Sequence, residues 1–171
     1  MTVRIKDRDG IKKILPELEY LASHRVEIGI FGDDDSHLLM IARVHEFGVR
    51  ITVTPAMRGW FRWQGYPLSP ETTEIHIPER SFMRSTFDRE QDTLVATLEA
   101  LYDQVLSGEI NGETMLGRVG EWFKGRVQHS IRYMTDPPLS AMTIERKQSS
   151  GPLRDTGRLS QSVTWRVVPA R

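Results

Sequence analysis

The residues best suited by type and spacing to do chemistry are Asp155-Thr156-Gly157, the five histidines and the run Asp33-Asp34-Asp35. An Asp-Thr-Gly triplet can place one aspartate from each of two short chains side by side, where the two share a proton and activate water. Here Arg154 precedes the triplet and Arg158 follows it, where an apolar strand and an apolar support would be needed. The competing reading is local: Asp155 or Thr156 caps a short helical turn and Gly157 takes a tight bend. Among the histidines, His24, His37, His45, His76 and His129 lack a paired metal-binding spacing, and His45-Glu46 leads into Phe47-Gly48 instead of a second histidine. The three aspartates lack the glycine and the distant glutamate of a calcium loop, so helix capping is the expected role. There is no cysteine, Gly-rich phosphate loop or G-x-S-x-G elbow. The expectation is a non-enzymatic protein with no catalytic residue, cofactor or metal.

The elements around these residues follow from hydrophobic periodicity. Ile11, Ile14, Leu15, Leu18 and Leu21 predict a helix over 7–22, kinked or shortened by Pro16. Val26, Ile28 and Ile30 alternate with polar positions or glycine as a half-buried strand. Leu38, Ile41 and Val44, with Phe47 as a further candidate for the inner side, then predict a helix over about 37–47 that stops at Gly48. Strands are expected at Ile51–Val53 and Ile75–Ile77, the second ending at Pro78, with an insertion of about 52–74 between them. The insertion carries Met57, Trp60, Phe61, Trp63, Tyr66 and Leu68, which predicts a compact cap on the core; the alternative is an exposed patch for a partner. Two apolar stripes, Leu94–Leu106 and Met115–Ile131, form a long helical hairpin. Thr135–Gly151 reads as a long loop, mobile in the monomer and ordered at a subunit contact, and Val163, Trp165 and Val167 make a closing strand. The resulting fold class is α+β: a small, mostly antiparallel sheet packed against the helical hairpin, within a single domain over 1–171.

With 39% hydrophobic and 27% charged residues in 171, the chain has the composition of a globular protein with a real core. No apolar run reaches the roughly 20 residues needed to cross a bilayer, so no membrane partner is expected. Zero net charge argues against nucleic acid as the main partner. The charges are nevertheless unevenly placed. From Ser85 to Met115 seven acids face only Arg89, whereas from Leu116 onward Lys and Arg outnumber Asp and Glu ten to four. Such a split suits head-to-tail contact between copies, and equally two solvated faces that differ by chance.

Three segments occur in order: Val44-His45-Glu46-Phe47-Gly48, then Ile77-Pro78-Glu79-Arg80-Ser81-Phe82-Met83-Arg84, then 151–163 with Leu153, Asp155, Thr156, Gly157, Arg158, Leu159 and Ser162. With the closing alternating strand, this set resembles the virion morphogenesis, or tail-completion, proteins of tailed bacteriophages and prophages, Mu-like ones included. The resemblance spans about Ile28 to Val168 and departs from the simplest pattern in the aromatic insertion. It implies a structural neck or tail-completion protein of the virion, made in the bacterial host cytoplasm. Its implied partners are copies of itself, as a homo-oligomeric ring, and neighbouring connector, portal-adaptor or tail proteins. A minor tail or tail-terminator component is the alternative; a DNA-packaging accessory and a dimeric aspartic protease are remoter ones. Physically, Gly48 should end a helix, Phe82 should anchor the start of the long helix, and Leu153 and Leu159 should be buried around a turn. Arg80 and Arg84, four apart, are expected on one helix face, paired with acids of a neighbour or of the same chain.

Overall fold

The computed structural model describes residues 8–31, 35–148, 150–153 and 156–170. Their elements run α1 (Arg8–Ser23), β1 (His24–Gly29), α2 (Ser36–Phe47), β2 (Val49–Thr52), α3 (Pro55–Trp63), β3 (Glu74–Ile77), α4 (Arg84–Leu106), α5 (Gly112–Tyr133), α6 (Ala141–Lys147), α7 (Arg158–Gln161) and β4 (Thr164–Pro169). This is an α+β fold. The chain divides into two compact units: residues 1–29, 87–126 and 163–171 form the first, and 30–86 and 127–162 the second. Both α4 and α5 contribute to each unit.

In the first unit β1 and β4 pair antiparallel from His24↔Pro169 to Gly29↔Thr164. Alternation decides which residues meet. Val26 lies opposite Val167 and Ile28 opposite Trp165, while Glu27 lies opposite Arg166 and accepts its guanidinium at 3.1 Å. Leu101 and Val105 of α4 pack with Met115 and Val119 of α5 as a buried cluster that Leu21, Val26, Leu94, Leu98 and Ile110 surround. The hairpin turns at Gly108, whose φ of 78° requires a left-handed conformation. The start of α5 is capped from outside by the Glu17 carboxylate, which accepts from the Gly112 N–H at 2.7 Å. Asn111 accepts from Thr114 N at 2.8 Å and completes the cap. α1 continues through Pro16 instead of stopping there.

In the second unit β2 and β3 form their own antiparallel pair, Val49↔Ile77 to Thr52↔Glu74. The strands expected in one small sheet therefore form two two-stranded ones. Alternation marks a strand but not its partner: β2 and β3 close locally across the insertion, whereas β1 finds β4 across most of the chain. The insertion holds α3, which has no buried residue, with Trp60 47% and Trp63 79% exposed. It is thus not a compact cap on the core. Within the stretch expected as a loop, α6 forms because Ser140 supplies an N-cap, accepting from Thr143 N.

Candidate functional site

The three segments that carry the family resemblance meet on α2. At its start, Asp35 is the N-cap and accepts from Leu38 N at 3.0 Å. At its end Gly48 takes φ 67°, and a Cβ there would lie 2.8 Å from Glu79 N and 3.0 Å from Ile77 O. Glycine is required on both counts, by conformation and by the close approach of the strand end at Ile77-Pro78. Ala42 and Glu46, four apart, form the buried face of the helix.

Glu46 closes the N-terminus of α4. One carboxylate oxygen accepts from Ser81 Oγ at 2.7 Å, Arg84 N at 3.0 Å and Arg84 Nε at 3.2 Å. The other accepts from Phe82 N at 2.8 Å and Met83 N at 3.0 Å. An α-helix leaves its first N–H groups without partners and carries a partial positive charge there, so one buried carboxylate meets both needs. Burial by itself would raise the Glu46 carboxyl's pKa. The N–H groups of Arg84, Met83 and Phe82 and the Ser81 hydroxyl outweigh burial and hold it below the ordinary value. A carboxylate so held exchanges no proton near neutral pH and suits a fixed anchor better than a general acid or base.

Both arginines are bound within the chain. Arg80 is buried, and its N–H donates to His45 O at 2.7 Å. Its guanidinium donates to Pro137 O at 2.7 Å and Pro138 O at 2.9 Å. Arg84 donates to Glu46 O at 2.8 Å and to the Glu79 carboxylate at 2.7 Å, and lies 4.7 Å over the Phe47 ring. The expectation that Arg80 and Arg84 share a helix face is corrected. α4 begins only at Arg84, because the preceding backbone must present its N–H groups to Glu46. Phe82 is fully buried beside this junction, as expected, whereas Phe47, a candidate for the inner side of α2, is exposed, its ring covered by Arg84 and not by the core.

The third segment gathers at the other end of α2. Arg158 donates to Asp35 at 2.5 Å, so this carboxylate both caps α2 and holds the last segment. The Leu38 N–H first, and Arg158 after it, keep Asp35 below its usual pKa. Gly157, at φ 79°, begins α7, while Leu153 and Leu159 are buried around the turn and Ser162 Oγ donates to Leu159 O at 2.9 Å. Thr156 is exposed; Asp155 lies outside the described residues, as do Asp33 and Asp34. A cleft of about 430 Å³ opens here, lined by Asp35, His45, Lys147, Leu153, Arg158 and their neighbours. His45 Nδ1 is buried without a hydrogen-bond partner. Burial, with the Arg80 and Lys147 cations nearby, pushes the His45 pKa down to about 4.

Sequence reasoning recognised most of these residues but not what joins them. Glu46 as the cap of another helix was one omission, and its signal was available: an acid in the last turn of a helix opposes the dipole of its own helix and so points to a partner outside. The Pro137 and Pro138 carbonyls as acceptors for Arg80 had no comparable signal. Among the described residues no group of His, Asp and Glu is arranged to hold a metal ion, and no helix is long and apolar enough to cross a membrane. No family model, curated protein or solved structure matches the chain.

Proposed function

We propose that this chain is a structural assembly protein of a tailed phage or prophage virion, acting at the head–tail junction or in tail completion. The observation that carries the reading is the convergence of the three resemblance segments on α2. Glu46, Arg80, Arg84 and Arg158 are engaged by partners in the same unit. These residues then serve as the frame of a subunit, in keeping with a protein whose work is docking. In this reading the chain has no catalytic residue, its location is the virion, and its partners are further copies of itself and adjoining connector, portal-adaptor or tail proteins. The exposed aromatics of α3 and the unequal distribution of charge support docking surfaces.

The test is addition of the purified protein to tail-less heads and to isolated tails made without it, followed by sedimentation and electron microscopy. Binding to heads with restored joining is the expected result. Binding to tails alone would identify a minor tail or terminator component instead. Failure to bind either particle, with no loss of joining when the protein is withheld, would overturn the assembly reading.

A further inference from the structure

We infer that α3 of one copy docks into an apolar groove between α4 and α5 of a second copy. The inference deepens the proposed assembly role and rests on it, since it names the surface through which copies of this chain meet.

The donor surface is α3. Thr54 caps it by accepting from Met57 N at 3.2 Å, and Pro55 occupies its first turn. Arg58 fixes the helix to the following loop, donating to Ser69 O at 2.8 Å, Pro70 O at 3.0 Å and Thr72 O at 2.6 Å. Held in this way, the helix turns Trp60 and Trp63, three residues apart, to solvent on one face. Arg62 is exposed on the flank and has no ion-pair partner among the described residues. Tryptophan and arginine on a braced helix are the residues that dominate protein–protein contacts, and bracing them beforehand lowers the entropy lost on docking.

The acceptor surface lies in the first unit. Leu98, Tyr102 and Met115 line a groove of about 430 Å³, and Glu99 and Asp103 form its rim. Tyr102 is 41% exposed. That volume falls within the roughly 300–1,000 Å³ over which concave sites engulf small apolar groups, so it can receive an indole ring. Glu99 and Asp103 stand four apart on α4, a spacing at which like charges repel, and neither has an ion-pair partner among the described residues.

Charge complementarity selects the occupant. An apolar groove with an acidic rim calls for an aromatic group flanked by a cation, and α3 offers that combination in Trp60, Trp63 and Arg62. A second copy is therefore sufficient as partner. Because the two surfaces differ, the contact is heterologous: each copy offers α3 to one neighbour and its groove to another.

The test uses the full chain with Trp63 replaced by a photo-reactive p-benzoylphenylalanine, mixed with an isotopically heavy unmodified copy and irradiated. Mass spectrometry should find light–heavy cross-links into the peptide containing Leu98 and Tyr102. In parallel, light scattering should show self-association weakened on the order of tenfold or more by Glu99→Arg with Asp103→Arg. Adding Arg62→Glu to that chain should restore it in part. All three charged residues are exposed, so an unchanged thermal midpoint serves as the folding control. Cross-links to another site, self-association indifferent to these charges, or a protein monomeric at every concentration would each overturn this contact. None of those results would prevent the chain from binding heads or tails. Conversely, a correct cross-link in a protein that binds neither particle would reject the virion role alone.

Discussion

The two units bury similar amounts of apolar material by different means. Among the described residues each has six buried hydrophobic side chains: Leu101, Val105, Met115, Val119, Phe123 and Val163 in the first, and Ala42, Phe82, Val127, Ile131, Leu153 and Leu159 in the second. All five buried polar or charged side chains, Glu46, Arg80, Thr86, Ser130 and Ser160, belong to the second. The first unit is thus held mainly by packing, which is insensitive to pH and tolerant of volume-conserving exchange. Through Glu46, Arg80 and Thr86 the second also depends on particular donors meeting particular acceptors, an arrangement that is costly to disturb because a buried group left without its partner loses both water and protein. Glu46, Arg80, Arg84 and Arg158 all fall in the second unit, where geometry as well as volume sets the fold.

The comparison can be broken most severely in the packed unit. Phe123→Ala should destabilise by about 4 kcal/mol, the usual cost of emptying a buried aromatic site. Urea unfolding should give the same loss at pH 7 and at pH 5. In the polar unit, Glu46→Gln should cost about 3 kcal/mol at pH 7, because an amide cannot accept from all five donors and turns N–H groups toward them. The pH signature follows from the depressed folded-state pKa. Stability from the ionised carboxylate is fully present above the ordinary value of 4.5 and is lost as pH falls through the lower folded value. The acid limb of a stability–pH curve should therefore flatten in Glu46→Gln and keep its shape in Phe123→Ala.

A smaller effect is expected where β4 meets α5 in the first unit. A Cβ on Gly120 would lie 2.6 Å from Trp165 Cδ2, against the body of the indole. Gly120→Ala should lower stability by about 1–2 kcal/mol despite the better helix propensity of alanine, as thermal unfolding would report. A change confined to mild acid sharpens the contrast. His45, with a folded-state pKa of about 4 against an ordinary 6.5, is kept neutral by the fold while the unfolded chain takes up a proton. Stability should decline as pH falls from 6.5 toward 4, and His45→Gln should remove that part of the slope. An unaltered slope would mean that His45 does not titrate in this way.

How much could be read in advance depended on the kind of force involved. The periods of Leu94–Leu106 and Met115–Ile131 foretold α4 and α5, because burial along one helix face repeats at a fixed interval. Val163, Trp165 and Val167 foretold β4 by the same logic at period two, and Gly48 marked a helix end because its backbone angle suits glycine. Leu153 and Leu159 were legible as buried anchors. α6 was obscured by the surrounding prolines, glycine and serines, which outweighed the Ser140 cap in composition. The exposed face of α3 was hidden because aromatic content reports affinity for apolar surroundings and not whether the chain itself provides them.

By itself, then, the amino-acid sequence determined α1, α2, α4, α5, the four strands and the α+β class, since propensity, capping and periodic burial act within a few residues of one another. Only the tertiary structure decided that β1 joins β4 while β2 joins β3, that Glu46 closes the start of α4, and that Arg80 reaches Pro137 and Pro138. These pairings depend on directions and distances between groups far apart in the chain, which no local pattern of residue types encodes.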